Sequence, residues 1–181
     1  MRVGIADHLG WAVVVTADGE HRVVDRRRIE LVEPGLSPAP IHYDRGASDD
    51  ATIEALVAEV RASIARTAGA ALDELARDLP APVESVHLRA WPADVPTDLA
   101  TLRGAPWEAR ADAVMYRTAL ADLAAERGWP VAVYDAKRAE ADAGALLGDR
   151  AHAVLHGPRA ALGAPWAKDH RVALAATITG S

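Results

Sequence analysis

Two turn signals close to the N-terminus constrain this chain more than any other feature. Asp7-His8-Leu9-Gly10 and Ala17-Asp18-Gly19-Glu20 separate three strand-like stretches by links too short for anything but antiparallel neighbours. Residues 2–6 (Arg-Val-Gly-Ile-Ala) form the first stretch and stop at Asp7, and residues 11–16 form the second, rich in valine. The third runs over roughly 21–32 and alternates at its end, with Arg28, Glu30 and Val32 on one side and Ile29 and Leu31 on the other. Gly10 is placed to take the positive φ of the first turn. The result is a three-stranded antiparallel meander.

After a Pro-rich connection over 33–47, the period changes from two to helical. Ser48-Asp49-Asp50 offers an N-cap and first-turn negative charge. Ile53, Leu56, Val57, Val60, Ile64, Leu72, Leu75 and Leu79 then mark one face of a helix over 50–78, closed by Pro80 and Pro82. A fourth strand is expected over 83–90. A helix follows over 106–127, with Pro106 in its first turn and Gly128 beyond its end. A fifth strand over 131–135 precedes short Ala-rich helices over 137–147 and 150–162 and a last helix after Pro165. The order is βββ-α-β-α-β-α. Because helical crossovers join them, the fourth and fifth strands should run parallel to the first, giving a mixed five-stranded α/β sheet. The chain of 181 residues is read as one domain.

Composition removes several classes. There is no cysteine, hence no disulfide, thiolate nucleophile or thiolate metal site. No P-loop, GxSxG or HExxH pattern occurs. Apolar runs are far too short to span a bilayer, and the stretch after Arg2 ends at Asp7, too soon for a secretory leader. A cytoplasmic protein without a membrane partner is expected. Lys and Arg number 20 against 26 Asp and Glu, a formal charge of −6, the opposite of the basic surplus usual in nucleic-acid binders.

A meander followed by helix-strand-helix-strand-helix, with an aspartate closing strand one, resembles the ribonuclease H-like superfamily, and within it the RuvC-type Holliday-junction resolvases. Gly4-Ile5-Ala6-Asp7 with Gly10-Trp11-Ala12 is similar to that family's first strand and Gly-rich hairpin. Asp169-His170-Arg171-Val172-Ala173-Leu174-Ala175-Ala176 looks like its last-helix motif. The resemblance implies a divalent-metal nuclease acting on nucleic-acid phosphodiesters, with carboxylates from strand one, the end of strand four and the last helix holding Mg²⁺ or Mn²⁺. Paired hard cations of that kind stabilise both the attacking and the leaving oxygen. Carried over, Asp7 and Asp169 match as catalytic and metal-binding acids. Where the family has the strand-four acid, this chain offers His87, Leu88 and Arg89, with Asp94 late and Glu84 at the wrong end; Val172 stands at the second acid of the last-helix motif.

Asp135, at the end of strand five, belongs to the same edge and is a third metal-ligand candidate, although by the strand order 3-2-1-4-5 that the resemblance implies two strands separate it from Asp7, roughly 9–10 Å. Its competing role is the N-cap of the next helix. His170, beside Asp169, is a candidate general base. His8 adjoins Asp7, His152 and His156 stand at i and i+4, and Glu30 lies on strand three. Arg26-Arg27-Arg28 alternates between faces and so makes no continuous basic patch. Trp91 and Trp107 flank the loop after strand four and suit base stacking or core packing. Two functions follow as expectations: a metal-dependent nuclease partnered by DNA or RNA and a second copy as a homodimer, or a degenerate binding module without hydrolase activity. The deciding feature is whether a cation can sit between Asp7 and Asp169 or an arginine fills that gap.

Overall fold

The structure is a computed structural model describing residues 1–42 and 49–180. Its strands are β1 (Arg2–Asp7), β2 (Trp11–Ala17), β3 (Val23–Glu30), β4 (Ser85–Arg89) and β5 (Val131–Tyr134). They form one sheet of order β3-β2-β1-β4-β5. β1 is antiparallel to β2, pairing Asp7 with Ala12, and parallel to β4, pairing Gly4 with His87. β5 is parallel to β4, so the predicted α/β architecture and strand directions hold.

The helices are α1 (Asp50–Asp78), α2 (Leu99–Leu102), α3 (Glu108–Glu126), α4 (Ala139–Leu147), α5 (Ala151–His156), α6 (Pro158–Leu162) and α7 (Lys168–Thr179). α1 begins where the acids predict: the Asp49 side chain accepts from Thr52 N at 2.8 Å. Several boundaries differ from expectation, the fourth strand covering Ser85–Arg89 and the helix expected over 137–147 starting at Ala139. The third strand is shorter, because His21 takes φ 66° in the turn that precedes it. The helix expected from 106 starts at Glu108, and a single turn, α2, capped by Asp98 on Thr101 N at 2.8 Å, sits in the loop before it. The helix expected over 150–162 is two, because Pro158 has no N–H to continue the ladder of α5. The expected connection over 33–47 lies outside the described residues from 43 onward.

Alternation along β1 divides its side chains between two cores. Val3 and Ile5 face α1 and α3, packing with Ile64, Leu72, Tyr116 and Leu120. Arg2, Gly4 and Ala6 face α7, whose Ala173, Ala175 and Ala176 are fully buried. A Cβ on Gly4 would fall 1.9 Å from the Ala173 carbonyl oxygen, so α7 lies on β1 with no side chain between them. This close crossing carries the first turn of α7, and with it Asp169, over the carboxyl end of β1.

Candidate functional site

Asp7 ends β1 on the odd-numbered side of the strand, so its carboxylate points toward α3, 3% exposed. Arg117 of α3 meets it there: Arg117 Nε donates to Asp7 Oδ2 at 2.9 Å, and Arg117 Nη1 donates to Ala90 O at 3.1 Å. Arg89, the last residue of β4, reaches the same carboxylate from the neighbouring strand. Its Nη1 donates to Asp7 O at 2.9 Å, and its Nε stands 3.8 Å from Asp7 Oδ1. Neither of those last two buried atoms has a hydrogen bond, so their contact is purely electrostatic.

Asp169 arrives from the opposite face of the sheet, in the first turn of α7, where the helix dipole favours an acid. Arg89 Nη2 donates to Asp169 Oδ1 at 3.2 Å, and His8 Nε2 lies 3.0 Å from Asp169 Oδ2. His8 is held in turn by Trp11, its ring stacked at 4.0 Å and 10°, and the Arg28 guanidinium covers Trp11 at 4.1 Å. One guanidinium, that of Arg89, therefore joins two acids that approach the rim from different layers.

The other candidates lie elsewhere. Asp135 is exposed, and its Oδ1 accepts from Lys137 N at 2.8 Å, the turn-capping role. His170 is 8% exposed and accepts from Ala167 N through Nδ1 at 3.3 Å, fixing the start of α7. Burial, reinforced by the nearby Arg26 charge, lowers its pKa below the ordinary histidine value, consistent with an acceptor nitrogen. Glu30 pairs with Arg28 at 3.0 Å, and His152 and His156 stack on each other with centroids 5.0 Å apart. Among the described residues no group of three or more His, Asp or Glu could hold a metal ion.

The residues present do not fit a divalent metal. All four carboxylate oxygens of Asp7 and Asp169 face an arginine or a histidine, and the charge of two acids is met by two guanidinium groups. A hard cation that prefers six oxygen ligands would have to displace Arg89 and would find no third carboxylate among the described residues. Sequence reasoning singled out the two acids but not the arginines that hold them. Arg89 carried a signal, since it occupies the strand-four position where an acid was sought. Arg117 carried none, because only the packing of α3 decides which of its side chains reaches β1.

Solved RuvC structures share this fold. The chain matches T. thermophilus RuvC in complex with Holliday junction substrate at a TM-score of 0.53 and 15% identity, over 98% of this chain and 90% of that one. It matches a second Thermus thermophilus RuvC structure at a TM-score of 0.50 and 18% identity, over 98% and 91%. The ribonuclease H-like, RuvC-type fold is thus shown. No family model matches the sequence, and no curated protein does.

Proposed function

We propose that this chain, sharing the fold of RuvC, is a non-hydrolytic ribonuclease H-like interaction module. The observation that carries the reading is Arg89, whose guanidinium stands between Asp7 and Asp169 where the fold's metal chemistry would need open oxygens. Within the arginine clasp the two acids act as anchors, tying β1, β4, α3 and α7 together at one rim.

The class of partner follows from charge. One structural neighbour is a complex with a Holliday junction, but this chain carries −6, and Arg89 and Arg117 at its rim are already paired with acids. A phosphate backbone is attracted by unpaired Lys and Arg, so a protein partner suits this surface better than DNA or RNA. The second reading, a Mg²⁺- or Mn²⁺-dependent nuclease, is favoured by the fold and by the meeting of Asp7 with Asp169.

Calorimetric titration with Mn²⁺ and incubation with branched and single-stranded DNA and RNA separate the two. The module should bind no Mn²⁺ and leave every substrate intact. Mn²⁺-dependent cleavage that Asp169→Asn abolishes would establish the nuclease instead.

A further inference from the structure

On the α1–α3 side of the sheet, next to the Arg117 end of the arginine clasp, the loop after β4 folds back beside α3 and leaves a cleft of about 340 Å³. It is lined by Ile41, Trp91, Val95, Leu102, Val114 and Met115, within the range of small-molecule sites. Its few polar groups are distinctive. Thr118 is occupied, its hydroxyl donating to Val114 O and Met115 O at 3.1 Å each. Arg61, from the middle of α1, lines this cleft and also the two beside it, of about 200 and 370 Å³. Among the described residues Arg61 makes no hydrogen bond or ion pair, and the Trp91 indole N–H has no acceptor.

None of the described side chains lining the 340 Å³ cleft is acidic, in a chain whose net charge is −6. The cleft therefore offers apolar walls, an exposed cation and a second N–H donor, with no carboxylate in its own lining; the acids Glu54, Asp98, Asp122 and Glu126 line the two flanking clefts that Arg61 also borders. A ligand that complements it is apolar in body and supplies only acceptors at one end. The planar fork of a guanidinium matches a carboxylate in both charge and geometry.

We propose that this cleft binds a small apolar carboxylate, an alkyl or aryl body against Trp91 and Met115 with its carboxylate on Arg61. The site shares no residue with the Asp7–Asp169 rim, so it stands or falls independently of whether that rim hydrolyses anything. Calorimetric titration of the full chain with octanoate, naphthoate and the uncharged analogue octanol tests it.

At least one of the two acids should bind saturably, one molecule per chain, and about tenfold or more tighter than octanol, the worth of a charge-assisted contact. Arg61→Gln, an exposed substitution that leaves the melting curve unchanged, should remove that advantage and leave octanol binding as it was. Failure of both acids to bind at millimolar concentration overturns the proposal. So does equal affinity for acid and alcohol, or acid binding that survives Arg61→Gln.

Discussion

Asp7 is the most confined carboxylate of the rim, and its loss should register as instability. Truncation to Ala leaves Arg117 and Arg89, with side chains 19% and 20% exposed, without the carboxylate charge they both face. Urea unfolding of Asp7→Ala should show a loss of about 3–5 kcal/mol, against about 1–2 kcal/mol for Asp7→Asn, which keeps an acceptor oxygen. An Ala variant as stable as the parent would remove Asp7 from its anchoring role. Arg89 makes the complementary case. Arg89→Glu places a third acid beside Asp7 and Asp169, so without metal it should melt lower than the parent. Mn²⁺ should raise the melting temperature of that variant by several degrees and leave the parent's unchanged. The two acids were legible because a carboxylate closing an apolar strand, or opening an apolar helix, interrupts a pattern. Arg117 interrupts nothing: on an amphipathic helix it reads as one more solvated charge, and only burial against β1 sets it apart.

Among the elements, α7 on β1 is the contact on which the rim depends. Gly4 has no room for a methyl group, since its Cβ would stand 1.9 Å from Ala173 O. Gly4→Ala must push the helix off the strand; it should cost at least about 2–3 kcal/mol by denaturant titration and loosen Asp169 from Arg89. A variant with parental stability would mean that α7 slides freely. The meander, α1 and the parallel crossovers were readable because turn chemistry and long periodic stretches are local signals. The single turn of α2 escaped because four residues carry no period, and its Asp98 cap resembles any loop aspartate. The division between α5 and α6 was legible in principle, as Pro158 marks it, but the Ala-rich run around it masks the break.

For the whole molecule, the response to acid has an identifiable source. His87, on the α7 face of β4, is 1% exposed, with Nε2 2.9 Å from Ser85 Oγ and Nδ1 without a partner. Burial, with a smaller contribution from the Arg2 charge, lowers its pKa to about 4. The unfolded chain takes up this proton near pH ~6.5 while the folded chain refuses it until about 4, so stability falls as pH drops through that window and does not vary with this group above it. The loss should approach roughly 3 kcal/mol by pH ~4 in denaturant titrations, and His87→Gln should flatten the curve. An unchanged curve in that variant would assign acid sensitivity to other groups.

Arg89 supplies the positive charge of the rim from within the chain. A rim gathered around a soluble ion opens when that ion is chelated or diluted away. Here the positive charge is part of the polypeptide, tethered to the strand it serves. This edge of the protein should therefore stay shut in EDTA as in magnesium: the chain brings its own counter-ion and cannot be parted from it.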